Sequence, residues 1–237
     1  AKSCARLKVY LRLNVPQADK YNETGVYMAD LRIEEYNVGD IGTNCYFIVN
    51  ADTKEMVIID PGGDGADLIR RIKERGLKLQ AVLLTHGHYD HAHHARMVAD
   101  AFGVPVYASE KEEATMHDIQ KNVSAMFGNP ETYDADVYAK GGDVLDLAGF
   151  KIKVISTPGH TEGGCCYYFD GNKVLASGDT LFCGSVGRTD FKGGSMSELV
   201  RSVKEKLFLL PNDTAVLPGH EARTTIGYEK QYNMYLA

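Results

Sequence analysis

No stretch of this 237-residue chain comes near the ~20 consecutive apolar residues that a membrane-spanning helix requires, which excludes that class. Cysteine is scarce and poorly placed for cross-linking. Cys4, Cys45, Cys165, Cys166 and Cys183 are odd in number and form no Cys-x-x-Cys pair, and the neighbours Cys165 and Cys166 could bridge only with strain. A disulfide scaffold is thereby excluded. Reduced thiols in a cytoplasmic protein, most of them small buried hydrophobes, are expected instead. Positive charge is in deficit, with 26 Lys and Arg against 32 Asp and Glu and a net charge of -6, so general nucleic-acid binding is not expected. Tryptophan is absent, and there is neither an internal repeat nor a low-complexity linker, which removes solenoid, collagen-like and coiled-coil classes. What is present is an apolar content of 44%, enough for a buried core, together with 24 glycines and 8 histidines.

Residues 1–30 read as an N-terminal extension and residues 31–237 as one domain. The extension carries Lys2, Arg6, Lys8 and Arg12 and a short mixed stretch at 7–15, without an apolar core of signal-peptide length. Met28 is a candidate natural start. Strands are predicted at 31–36 and 44–50, split by a Gly39/Gly42 turn, and again at 54–60, 81–84 and 104–108. A helix over 66–75 puts Leu68, Ile69 and Ile72 on one face, with Gly76 closing it. Further helix is predicted at 92–102 and over most of 110–128. Two strands bracket Gly149, and a hairpin joins 165–169 to 173–177. Ser195 with Glu198 forms a capping box ahead of Leu199, Val203 and Leu207, before a last strand at 214–217 and a short closing helix. Strands in sets with helices between them give an α/β (α+β) sandwich.

One pattern recurs four times: an apolar run suited to a buried strand stops at a polar residue with glycine beside or near it. The runs end in His86, His160, Asp179 and His220. If those strand ends share one sheet edge, ligands from distant sequence meet in space. The most specific segment is His86-Gly-His88-Tyr-Asp90-His91. His86 and His88 share a side of an extended segment; Asp90 and His91 follow a bend and face a second centre. Imidazole and carboxylate donors of this kind suit zinc, manganese or ferrous iron. Two divalent cations would outweigh Asp90, Asp179 and a bridging hydroxide by a single positive charge, attracting an anionic substrate. His93, His94 and His117 lie outside the pattern and are read as non-ligands. Asp60 ends a buried strand before Pro-Gly, and two roles are open to it: a turn former, or an acceptor that orients a ligand histidine.

With these motifs the chain resembles the metallo-β-lactamase fold superfamily, and within it the hydroxyacylglutathione hydrolase (glyoxalase II) branch and its short bacterial relatives. The resemblance rests on Thr85-His-Gly-His-Tyr-Asp-His91, Thr157-Pro-Gly-His-Thr161, Gly178-Asp-Thr-Leu-Phe182, Gly184-Ser-Val-Gly-Arg-Thr-Asp-Phe191 and Pro218-Gly-His-Glu221, with a similar tail at 224–230. It implies a four-layer αββα sandwich with metals at one edge. His86, His88 and His160 would form one site, Asp90, His91 and His220 a second, and Asp179 would bridge two divalent ions, zinc first, with iron or manganese as alternatives. The implied activity is hydrolysis of a small-molecule thioester of hydroxyacylglutathione type by a metal-bridging hydroxide, with Asp90 handling a proton as the catalytic residue. Tyr89, Arg188 and Arg223 are candidate substrate contacts, or equally structural hydrogen-bonding groups, Arg188 through an ion pair with Asp190. No nucleic-acid or membrane partner is implied.

Residues 221–237 stand where the larger glyoxalase II enzymes carry a helical region for glutathione, and Cys165-Cys166 stands where smaller residues are expected. The alternative activity is an iron-dependent persulfide dioxygenase, a branch that shares the Gly-Arg-Thr-Asp-Phe found here at 187–191 and uses one iron. A non-enzymatic metal-binding protein is the alternative of a different class.

Overall fold

The computed structural model describes residues 7–12 and 29–236. Its first sheet runs in chain order through β1 (Leu7–Arg12), β2 (Leu31–Val38), β3 (Thr43–Asn50), β4 (Glu55–Ile59), β5 (Lys78–Leu83), β6 (Val106–Ser109) and β7 (Val137–Ala139). Neighbours are antiparallel from β1 to β4 and parallel from β4 to β7. Part of the expected N-terminal extension thus joins this sheet as its edge strand; Met28 and Cys4 lie outside the described residues. The remaining strands are β8 (Val144–Leu147), β9 (Phe150–Ser156), β10 (Cys165–Phe169), β11 (Val174–Gly178), the short ribbon β12 (Leu181–Phe182) and β13 (Ser185–Val186), then β14 (Ala215–Pro218) and β15 (Thr224–Thr225). The second sheet has the order β15-β14-β11-β10-β9-β8.

Strand alternation decides what each residue covers. Along β3, Tyr46 and Ile48 point into the core between the sheets, where they meet Phe150, Ile152, Tyr167 and Phe169. Cys45, Phe47 and Val49 point the other way. That outer face is covered by α1 (Gly65–Glu74), through Leu68 and Ile72, and by α3 (Ala95–Phe102), through Ala95 and Val98. The outer face of the second sheet is covered by α5 (Met196–Glu205), whose Leu199 and Val203 are fully buried, each contributing roughly 1.5–3 kcal/mol. Ser195 Oγ caps α5 by accepting from Glu198 N at 3.4 Å. The layers are therefore helix, sheet, sheet, helix, as the resemblance implies. α6 (Ile226–Tyr232) closes the chain. Among the described residues no helix is long and apolar enough to cross a membrane.

Alternation also accounts for Cys165 and Cys166. The first faces the core between the sheets and the second packs beneath α5, so neighbours in sequence serve opposite layers. Burial pushes the Cys166 thiol up to about 11, which leaves it a packing group rather than a nucleophile.

Two helical expectations are corrected. The predicted helix at 92–102 is divided: α2 (Tyr89–Ala92) is a single turn whose closing bonds run from His91 N and Ala92 N to His88 O, and α3 begins only at Ala95. Residues 110–128 are mostly not α-helical. They comprise a 3-10 turn at Glu110–Glu112, α4 (Glu113–Met116) and a second 3-10 turn at Ser124–Phe127. Side chains intercept the backbone groups that a helix would use. Asp118 Oδ1 accepts from Gln120 N at 2.8 Å, and Asn122 donates to Met116 O and Glu131 O while accepting from Ser124 N.

Candidate metal centre

The chain turns sharply at the ends of β4, β5, β9, β11 and β14, all on one edge of the sandwich. Bonds between the two sheets bring these turns together: Cys165 N donates to Thr85 O at 2.9 Å, Asn44 N to Gly219 O at 2.7 Å and Tyr46 Oη to Pro218 O at 2.8 Å. His86 and His88 follow β5, His160 follows β9, Asp179 follows β11 and His220 follows β14. His88 Nδ1 lies 3.1 Å from His86 Nε2 and 2.9 Å from His160 Nε2. Beside this trio, His220 Nε2 is 3.4 Å from His91 Nε2 and 3.1 Å from Asp90 Oδ2. Asp179 stands between the groups, with Oδ1 at 3.5 Å from His91 Nε2 and Oδ2 at 3.5 Å from His160 Nε2. All seven residues singled out in the sequence are thus brought together, in clusters whose donor atoms lie within 4.8 Å of one another.

Groups behind the rings aim them. Thr85 Oγ1 donates to Asp60 Oδ2 at 2.7 Å and so accepts from His86 Nδ1 at 3.1 Å, leaving His86 Nε2 free to face inward. His91 Nδ1 donates to Asp60 Oδ2 at 3.0 Å, and His160 Nδ1 to the Arg188 carbonyl at 2.6 Å. Both roles left open for Asp60 are filled at once. Its backbone is left-handed at φ 51, a strain of about 1–2 kcal/mol for a non-glycine residue, and its buried carboxylate holds His91 and Thr85.

The electrostatics suit cations. Burial pushes His86 and His88 well below the ordinary imidazole value and His160 below it, so these rings are neutral donors at neutral pH. Burial acts the same way on His91, but Asp90, Asp179 and Asp60 together outweigh it and raise that ring to about 10. The Asp90 carboxyl is buried too, yet His91, His220 and the Thr43 hydroxyl hold it well below the carboxylate range. Asp179 Oδ1 is buried without a hydrogen-bond partner. Converging lone pairs, an orphaned carboxylate oxygen and a place where positive charge is favoured are what a divalent ion requires.

A pocket of about 380 Å³ opens onto these donors, walled by Ile41, Val123, Phe127, Phe182, Phe191 and Arg188. The Arg188 guanidinium lies 4.0 Å over the Phe191 ring and pairs with Asp190 at 2.7 Å, so the expected ion pair forms at the pocket wall. The other two candidate substrate contacts stand outside this pocket. Arg223 is held by Glu35 on β2 at 2.7 Å and lines a separate cavity with Thr224 and Tyr228. The Tyr89 ring stacks between His93 and Phe127, at 4.7 and 5.5 Å. His93, His94 and His117 bond Glu131, Gly65 N and Asp134, away from the cluster.

Residues 38–220 match the model of the metallo-beta-lactamase superfamily. The chain belongs to that superfamily. Among curated relatives, it is 38% identical to the probable metallo-hydrolase YqgX of Bacillus subtilis, over 84% of this chain and 94% of that one. It is 37% identical to the hydroxyacylglutathione hydrolase GloC of Haemophilus influenzae, over 87% and 98%. Among solved structures, the BLEG-1 B3 metallo-beta-lactamase superposes with a TM-score of 0.82 at 40% identity, covering 86% of this chain and 99% of that one. A di-iron-bound form of TTHA1623 superposes with a TM-score of 0.75 at 31% identity, covering 84% and 98%.

Two groups that serve this superfamily site were not legible in the sequence. Thr43 Oγ1 donates to Asp90 Oδ2 at 2.7 Å, but a lone threonine opening a strand carries no signal. Glu112, in the run Glu110-Lys-Glu-Glu113, reads as part of a solvated charged surface and is instead fully buried. Its Oε1 accepts from Gly87 N and its Oε2 from Thr161 Oγ1, both at 2.9 Å. Burial pushes the Glu112 carboxyl from 4.5 up to about 7. Because the folded state then holds a proton that the unfolded chain has lost, stability falls as pH rises from about 4.5 to about 7, by roughly 3 kcal/mol in all. Glu112→Gln is expected to remove that dependence. Urea midpoints at pH 5 and pH 8 measure it, and a variant keeping the parent's difference contradicts the assignment.

Proposed function

We propose that this protein is a binuclear metallohydrolase that cleaves a small-molecule thioester of hydroxyacylglutathione type in the cytoplasm, with zinc the first candidate for both ions. The observation that carries the reading is the second donor group. Asp90, His91 and His220 lie beside the three histidines with Asp179 between, a donor set large enough for two ions. The name of the Haemophilus relative supports the thioester. Bound there, two divalent ions would polarise the carbonyl oxygen and lower the pKa of a water.

The chain's own residues supply the rest. His86, His88 and His160 would hold one ion as neutral imidazoles; Asp90, His91 and His220 would hold the other; Asp179 would join the two. Thr43 and Asp60 keep the Asp90 and His91 donors aimed. Asp90 stays ionised, and a carboxyl held so far below its ordinary range is a weak place for a proton, so Asp90 serves here as a donor to the ion, its Oδ2 held by the Thr43 hydroxyl. Phe127, Phe182 and Phe191 line the approach to the donors with apolar surface.

The test is metal content of protein purified without added metal, paired with turnover of S-lactoylglutathione. Two ions per chain and chelator-sensitive hydrolysis, restored by zinc, are expected. One iron per chain with oxygen uptake on glutathione persulfide and no thioester cleavage would overturn the proposal. So would bound metal with no turnover on any thioester, ester or persulfide.

A further inference from the structure

The three-histidine group is assembled from two sheets, since His86 and His88 leave the first on β5 and His160 leaves the second on β9. Metal–ligand distances tolerate errors of only about 0.2 Å, so the two turns must be registered against each other more closely than general sheet packing ensures. The segment at 110–116 lies against both. A Cβ on Gly87 would come within 2.6 Å of Met116 Cγ, and one on Gly163 within 2.2 Å of the Glu112 nitrogen. Between these two close approaches sits the fully buried Glu112 carboxylate, accepting from Gly87 N, between the two histidines of the first turn, and from Thr161 Oγ1, next to His160. Gly163 N is a third donor to it, and the second from the backbone.

We propose that Glu112 is a positioning residue for the three-histidine group, its two carboxylate oxygens fixing the 86–88 turn and the 160–161 turn at one separation and angle. The inference rests on the metal-centre reading above. A carboxylate suits the task because all three of its partners are donors and it accepts at both ends. Among the described residues nothing comparable joins Glu112 to the Asp90 group, so its influence is confined to one ion.

Zinc titration of metal-free protein in two backgrounds tests this. His220→Ala leaves the three-histidine group, and His88→Ala leaves the Asp90 group. In the first background Glu112→Ala is expected to weaken zinc binding by about 10–100-fold, the usual cost of removing a group that orients ligands. In the second it is expected to change nothing. Glu112→Gln should cost less than about tenfold, because the Thr161 hydroxyl can turn from donor to acceptor and the bond from Gly87 N survives. Equal loss in both backgrounds, an Ala variant matching the parent, or a Gln variant as weak as Ala would each overturn the proposal. If Glu112→Ala does not fold, Thr161→Val, which removes a single bond, decides on the same terms: selective weakening supports the inference and unchanged affinity overturns it. Zinc bound in neither background by the otherwise unmodified chain would refute the metal reading itself, a result distinct from binding that ignores Glu112.

Discussion

Asp179→Asn is expected to strip both ions from the protein and to lower turnover by at least about a thousandfold. The size follows from position. Asp179 Oδ1 faces His91 and Oδ2 faces His160, one oxygen toward each donor group, and Oδ1 is buried with no other partner. An amide keeps the shape but removes the charge and presents an N–H₂ group where a lone pair is needed, so one of the two sides loses its donor whichever way the amide turns. Loss of the shared charge weakens the other side as well. Metal content by atomic emission and circular dichroism of the same sample separate this from unfolding. A folded variant that retains one ion at full affinity would show that Asp179 does not join the two groups.

Gly219→Ala has the second largest expected effect, although it touches no charge. A Cβ at position 219 would stand 2.2 Å from Asp179 Oδ1 and 2.6 Å from His91 Cε1. Neither neighbour can retreat. Asp179 is short and its turn is bonded to this one through Gly219 N to Gly178 O at 2.8 Å, while the His91 ring is fully buried and tied to Asp60. Overpacking of this kind costs about 1–3 kcal/mol of stability. The greater damage falls on the donors: under the proposed two-ion reading, an ion held by Asp90, His91 and His220 should bind about a hundredfold more weakly. Gly164→Ala provides the contrast, since its nearest non-neighbour atom would be Thr161 Oγ1 at 3.1 Å, a hydroxyl that can yield a few tenths of an ångström. If zinc titration found Gly219→Ala unchanged, the crowding at the heart of the site would not be real.

Much of the fold was legible because its signals are local. Period-two and period-3.6 apolar patterns located β3, β5, β10, α1 and α5, and the Ser195–Glu198 cap placed the start of α5 to the residue. The seven donors were legible for a related reason: His86, His160, Asp179 and His220 each end an apolar run with glycine beside or near it, and four of the seven lie within six positions. The region 110–128 was misread as helix because its charged and polar composition has acceptable helix propensity, while the deciding bonds of Asp118 and Asn122 compete only once the chain has bent. Of the two readings open for Arg223, the structural one could not be made specific because its partner, Glu35, is far away in sequence.

By itself, then, the amino-acid order determined the layered class, the strand ends and the candidate donor residues, all properties of short windows of chain. Tertiary structure alone decided that Cys165 and Cys166 serve different layers, that Asp60 and Thr43 aim His91 and Asp90, and that Glu112 is buried between two turns. Those outcomes depend on which strands become neighbours and on how two sheets close on each other. Such pairings are settled by the burial of the whole apolar surface, to which no single window of sequence gives access.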